Sequence, residues 1–156
     1  MPGTLSPNME HYLQSIYLLQ QKNKVARVKE IAHFMDVSMP SVTNAVKSLR
    51  DKKLVQNMPY GYIELTNRGS DTAMHLMERR RALQQFLVHV LRLNIEIAED
   101  DACQIEHVIS EEATSRLKVL MKLIEQCPKL KNKWDKLITQ CISEEEGNFC
   151  DSCLDM

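Results

Sequence analysis

The sequence predicts a mainly α protein in which an N-terminal winged helix–turn–helix is followed by a second, helical domain. Three observations predict it. Apolar residues recur at helical spacing over most of the 156 residues, and the period shortens only between Leu54 and Leu65. A capped helix with no acidic residue on its outward face precedes that interruption. Four Gly and five Pro leave little material for further hairpins or linkers.

In chain order, Met9, Tyr12, Leu13, Ile16 and Leu19 follow Pro7 at helical spacing, predicting a helix over 7–21 with Pro7 in its first turn. Gln20 to Lys24 reads as a polar connector. Val28, Ile31, Ala32 and Met35 mark a short second helix, and Asp36 to Pro40 forms the turn after it. Ser38 is a suitable N-cap with Pro40 just inside the third helix, whose Val42, Ala45, Val46 and Leu49 point inward. Residues 54–58 and 62–65, around Pro59-Tyr60-Gly61, read as the two strands of a wing.

Asn67 is the expected cap of a long fourth helix reaching about Leu91, with Ala73, Leu76, Met77, Leu83, Phe86, Leu87 and Val90 as its apolar positions. A fifth helix is expected from Asp100, carrying Ala102, Cys103, Ile105, Glu106, His107 and Ile109. A sixth covers Glu111 to Gln126, with Ala113, Leu117, Leu120 and Ile124 as its stripe, and Pro128 stops it. A last short helix, Asn132 to Ile142, presents Trp134, Leu137, Ile138 and Cys141. The expected organisation is residues 1–70, 71–142 and an acidic, cysteine-containing tail at 143–156.

Composition narrows the function classes. At 18.1 kDa, the chain is too short for a multi-domain cofactor enzyme, and 44% hydrophobic with 26% charged residues is a globular balance. No apolar run approaches the roughly 18 residues of a membrane span, and Met1 to Ser6 lacks the regions of a signal peptide, so a cytoplasmic protein is expected. Five cysteines without an export signal favour reduced thiols over disulfides. Up to Ser70 there are nine Lys/Arg against five Asp/Glu, and beyond it eleven against sixteen, so the two parts carry +4 and −5. A basic module joined to an acidic one suits a polyanion-binding protein.

The third helix offers Ser41, Thr43, Asn44 and Lys47 outward, with Ser38 at its cap. Hydroxyls and Lys reach phosphates, while Asn can bond bidentately to adenine. Carboxylates would be repelled by phosphate, and none lies between Ser38 and Arg50. Lys52, Lys53, Tyr60 and Tyr62 place further groups near the wing. The candidate DNA-contacting set is Arg27, Ser38, Pro40, Ser41, Thr43, Asn44, Lys47 and Tyr60. The bland alternative is that three helices and a hairpin are merely a stable small fold.

Cys103, Glu106 and His107 stand at i, i+3 and i+4, placing a thiolate, a carboxylate and an imidazole on one helical face. All three are ligand types for first-row metals, and a fourth from elsewhere would close the shell. His11, beside the apolar stripe of the first helix, is a candidate. Individually each has a structural explanation, a buried thiol or a hydrogen-bonded imidazole.

Met9-Glu10-His11-Tyr12-Leu13-Gln14-Ser15-Ile16-Tyr17, the helix–turn–helix from Val28 to Leu54, and Cys103-Gln104-Ile105-Glu106-His107-Val108-Ile109-Ser110 together resemble the metal-dependent repressors of the diphtheria toxin repressor and manganese transport regulator family. The resemblance spans residues 7–125. It implies that the second domain is a dimerisation and metal-binding domain, and that a homodimer binds double-stranded operator DNA under control of Fe(II), Mn(II) or a similar ion. It also implies a ligand set of His11, Cys103, Glu106 and His107, with His11 replacing the family's usual Met or Asp. A thiolate at Cys103 favours iron, zinc or cobalt over manganese, which prefers harder oxygen donors, so Fe(II) is the expected ion. The resemblance places Arg80 and Gln84 where the family has a His and a Glu of a second site. Arg cannot ligate, which implies that this site is lost; Arg80 then either pairs with an acidic residue such as Glu99 or simply reaches solvent.

Cys127, Cys141, Cys150 and Cys153 remain, enough for a structural zinc or an iron–sulfur cluster, with Cys150-x-x-Cys153 as the bidentate element. A redox-sensing regulator using these cysteines is therefore the alternative function. Reduced cysteines on an acidic tail are the equally simple account. A thiol enzyme built on Cys103, His107 and Glu106 is not expected, because neighbours on one helix leave no evident oxyanion hole or substrate pocket.

Overall fold

The computed structural model describes residues 5–23 and 26–143, and the chain divides into two compact units, Met1–Arg79 and Arg80–Met156. The first contains α1 (Pro7–Asn23), β1 (Ala26–Arg27), α2 (Val28–Met35), α3 (Met39–Asp51), β2 (Val55–Met58), a single 3₁₀ turn at Pro59–Gly61, β3 (Tyr62–Leu65) and the beginning of α4 (Asn67–His89). α1, α2 and α3 pack around Leu13, Ile16, Ile31, Val42 and Leu49, all fully buried. Each such side chain contributes about 1.5–3 kcal/mol on leaving water.

The turn between α2 and α3 fixes the recognition-type helix. Asp36 adopts a left-handed conformation, φ 52°, and Val37 N–H donates to Ala32 O at 3.0 Å, closing the end of α2. Two residues later Ser38 caps α3, its Oγ accepting from Ser41 N–H at 3.3 Å. The wing is antiparallel with order β1-β3-β2, pairing Asn57 with Ile63 and Ala26 with Ile63 from the other side. Its hairpin turn places Tyr60 and Gly61 at positive φ, 64° and 74°.

α1 runs two residues beyond the expected end, absorbing part of the polar connector, and β1 was not anticipated. A two-residue strand is too short to show a period. The cap of α4 is Thr66 rather than Asn67: Thr66 Oγ1 accepts from Gly69 N–H at 3.0 Å and donates to Lys53 O at 2.8 Å. That turn lies so close to the end of α3 that a Cβ built on Gly69 would stand 1.9 Å from Leu54 O.

The second unit takes the rest of α4 with α5 (Ile95–Ile105), α6 (Glu111–Gln126) and α7 (Pro128–Ser143). Leu83, Leu87, Ala98 and Ala102 form one buried cluster, and Val90, Met121 and Ile124 another against which Trp134 packs. Trp134 Nε1 donates to Val90 O at 2.9 Å, and Arg92 pairs with Asp135, so α7 is fastened to the end of α4. α5 begins five residues before the expected start, capped by Asn94, whose Oδ1 accepts from Glu96 N–H at 2.9 Å. On α6 the inner stripe is Thr114, Leu117, Met121 and Ile124, and Leu120 faces outward. Pro128 does end α6, yet it also opens α7 at the position where a missing N–H costs nothing. Among the described residues no helix is long and apolar enough to cross a membrane.

The Gly69 contact is testable. Gly69→Ala is expected to destabilise the chain by about 1–3 kcal/mol, a fall in melting temperature of roughly 3–10 °C, because the obstructing atom is backbone. An unchanged melting curve would show that α4 does not depend on this close approach.

Candidate metal centre and nucleic-acid interface

In the first unit the outward face of α3 is polar, with Ser41, Thr43, Asn44, Lys47, Ser48 and Arg50 all exposed. The same turn of sequence that buries Val42, Ala45, Val46 and Leu49 turns these side chains to solvent, as a 3.6-residue period requires. Some of the hydroxyl capacity is spent locally. Ser38 and Ser41 share a 2.8 Å hydrogen bond, and Thr43 Oγ1 donates to Met39 O at 2.9 Å. Pro40 lies in the exposed first turn, and Lys47 stands one turn beyond Thr43.

Arg27 is the N-cap of α2 and lies opposite Tyr62 in the sheet. Its guanidinium covers the Tyr62 ring at 4.5 Å and donates to Tyr62 Oη at 2.6 Å, while its backbone N–H bonds Glu30 Oε2 at 3.0 Å. The charge is thus held at the base of the wing by stacking. Sequence spacing does not show this stack, since its partners are 35 residues apart. Tyr60, at the tip of the wing, is 92% exposed.

In the second unit the candidate ligands cluster at the C-terminus of α5. Cys103 lies in its last turn, Glu106 is the residue at which the helix ends, and His107 follows in the turn. The expected continuous helix through Ile109 therefore stops at Ile105. The i, i+3, i+4 relation persists because Glu106 keeps helical φ and ψ (−56°, −25°) and its N–H still bonds Ala102 O at 3.0 Å. A helix C-terminus carries partial negative charge and favours a cation.

Glu106 is 0% exposed. A carboxylate removed from water is costly unless positive charge faces it. One permanent charge and one imidazole stand at the same oxygen: Arg80 Nε at 3.7 Å and His107 Nε2 at 3.6 Å from Glu106 Oε1. The acidic partner of Arg80 is thus Glu106, and Glu99, named above as an example, instead accepts from Gln84 Nε2 at 3.0 Å. Cys103 is partly exposed and, with Arg80, Gln84, Glu99, Asp100 and Ala102, lines a cavity of about 360 Å³. A thiol, a carboxyl and an imidazole follow one another at this helix C-terminus, and all three are donor types that first-row divalent cations accept.

His11 lies on α1 in the first unit and is partly buried. Its neighbour Glu10 accepts from Arg79 Nη2 at 3.1 Å. Of the remaining cysteines, Cys127 is exposed at the end of α6. Cys150 and Cys153 lie outside the described residues, and so does the side chain of Cys141.

Comparison with known proteins gives the geometry a context. Residues 4–63 match the family described as iron dependent repressor, N-terminal DNA binding domain, and residues 66–135 match iron dependent repressor, metal binding and dimerisation domain. An HTH-type transcriptional regulator MntR of Lysinibacillus sphaericus is 30% identical over 135 residues, covering 86% of this chain and 96% of its own. The diphtheria toxin repressor of Corynebacterium glutamicum is 30% identical over 119 residues, 76% of this chain and 52% of its own. Among solved structures, the manganese regulator SloR is similar with a TM-score of 0.67 and 30% identity, covering 76% of this chain and 55% of its own. ScaR with bound Zn²⁺ is similar with a TM-score of 0.67 and 33% identity, covering 74% of this chain and 54% of its own. The chain thus spans about half the length of the diphtheria toxin repressor and of these two structural relatives.

Proposed function

The chain belongs to the iron-dependent repressor family, and from that premise we propose that it is a metal-dependent transcriptional repressor, with Fe(II) as its activating ion and metal-ion homeostasis genes as its targets. The observation that carries the proposal is the fully buried Glu106 carboxylate set between Cys103 and His107 at the end of α5. The family is one of DNA-binding regulators, so the cysteine and histidine of this turn are not the nucleophile and base of an enzyme.

In this reading Cys103, Glu106 and His107 supply three donors, and His11 supplies a fourth, as the sequence resemblance implies. A divalent cation held there would offset the charge of the Cys103 and Glu106 donors. The remaining work belongs to the polypeptide. His11 sits on α1, whose Leu13 and Ile16 belong to the same buried cluster as the α3 residues Val42 and Leu49. Restraint of His11 therefore restrains α3, the helix that meets the major groove. The preference for iron over manganese rests on Cys103, because a thiolate is a soft donor.

A homodimer would present two copies of α3 about 34 Å apart along the DNA. Support comes from Val119, Leu120 and Leu123 of α6 and Leu130 of α7, large apolar side chains exposed in the single chain. On α3, Asn44 is assigned to a base edge and Lys47 to a phosphate, with Tyr60 and Arg27 near the backbone.

Two measurements test this reading. In fluorescence anisotropy titrations against the upstream region of its own operon, Lys47→Ala is expected to weaken binding to all sequences and flatten the log–log salt slope by about one unit. Asn44→Ala is expected to relax discrimination at one base pair by about 1–3 kcal/mol. Wild-type affinity and selectivity in both variants would remove α3 from the interface.

The second measurement removes ligands. Cys103→Ser, Glu106→Gln, His107→Ala and His11→Ala are each expected to lower the Fe(II)-dependent gain in DNA affinity by at least about tenfold, with metal-independent binding unchanged. Full Fe(II) dependence after loss of Glu106 would overturn the assigned centre.

A further inference from the structure

Arg80 is a permanent positive charge placed against a carboxylate that the proposed function assigns to a metal. Its Nε lies 3.7 Å from Glu106 Oε1, where Glu106 is 0% exposed and the Arg80 side chain 31%. The separation exceeds a hydrogen bond, so the link is one of charge rather than of the forked geometry by which Arg binds carboxylates. Arg80 also lines the cavity into which Cys103 opens. A guanidinium does not lose its proton in a protein, so this charge is present with or without an ion.

We propose that Arg80 is an internal counter-ion for Glu106, a positioning residue that stabilises the metal-free site and that lowers its affinity for a divalent cation. The inference rests on the reading that Cys103 and Glu106 take a metal. Without Arg80, a thiolate and a carboxylate would neutralise a divalent ion. With Arg80, the same set carries one excess positive charge, and an ion entering beside Cys103 meets like charge across the Glu106 oxygen. Like charges at such range in a part-buried site disfavour each other strongly. The carboxylate, meanwhile, needs no ion to offset its burial, because Arg80 already faces it.

Two consequences are specific to this chain. The site responds at a higher free-metal concentration than its donor set alone would give. The second unit also changes little in stability when the metal leaves, so metal acts on the restraint of α1 rather than on the folding of α5.

The test uses the full chain, with Arg80→Met, Arg80→Lys, Glu106→Gln and the Arg80→Met/Glu106→Gln double variant. Co²⁺ is the probe, followed by thiolate-to-metal absorption against a competing chelator, with Cys103→Ser subtracting any contribution from other cysteines. Arg80→Met is expected to bind Co²⁺ about 10- to 100-fold more tightly than wild type, and Arg80→Lys within about threefold of it, since Lys keeps the charge. In metal-free protein, Arg80→Met is expected to lower the melting temperature by roughly 5 °C, and Glu106→Gln to remove most of that loss, because the neutral amide needs no counter-ion.

Unchanged Co²⁺ affinity in Arg80→Met, or an Arg80→Lys variant that follows Arg80→Met, overturns the counter-ion. Absence of coupling between Arg80→Met and Glu106→Gln in the metal-free melting temperatures overturns it as well. Co²⁺ binding to Glu106→Gln at wild-type affinity would overturn instead the assignment of Glu106 as a ligand, and the stability coupling would then still identify the ion pair.

Discussion

The burial of the Glu106 carboxylate is the constraint around which the second unit is organised. A carboxyl group with no access to water is stabilised by positive charge, and α4 brings the Arg80 guanidinium to the same oxygen that the His107 ring faces from the turn after α5. The end of α5 falls at Glu106, so the carboxylate lies at the negative pole of the helix, where a cation is favoured. In the proposed centre Cys103, one turn earlier, would add the donor that distinguishes first-row metals from magnesium or calcium.

The first unit answers a different requirement, rigidity of α3. Its inner face is locked by Val42, Ala45, Val46 and Leu49, and its entry by the Asp36 turn and the Ser38 cap. Its exit is held by Thr66, which bonds Lys53 O, and by the close approach of Gly69 to Leu54. A helix fastened at both ends and along one face moves as a body. Any restraint applied to α1, which shares its core, is passed on without being absorbed in local bending.

Much of this was legible in the sequence where local rules decide. The period of α3, its Ser38 cap and the shift to alternating residues in the wing each signal one structure, and the end of α6 follows from Pro128. Elements were misjudged where tertiary contacts decide. β1 has only two residues and exists because Arg27 pairs with Tyr62 in β3. The first turn of α5 leaves no trace in the hydrophobic period because Ile95 and Ile97 face outward. Leu120 was placed in the core on spacing, yet Met121 one position later takes that place. Spacing alone puts Cys103, Glu106 and His107 side by side at the end of α5, but it does not give the pairing of Arg80 with Glu106, since no spacing rule links residues of two helices 26 positions apart.

The central claim is that the turn at the end of α5 is a metal centre with a thiolate in its first coordination sphere. X-ray absorption fine structure of the anaerobically Fe(II)-loaded chain tests it most directly, with Cys103→Ser measured alongside. A sulfur neighbour at about 2.3 Å together with nitrogen and oxygen donors, lost in Cys103→Ser, is the result the account predicts. A shell of nitrogen and oxygen alone, or a sulfur signal that survives the substitution, would contradict it.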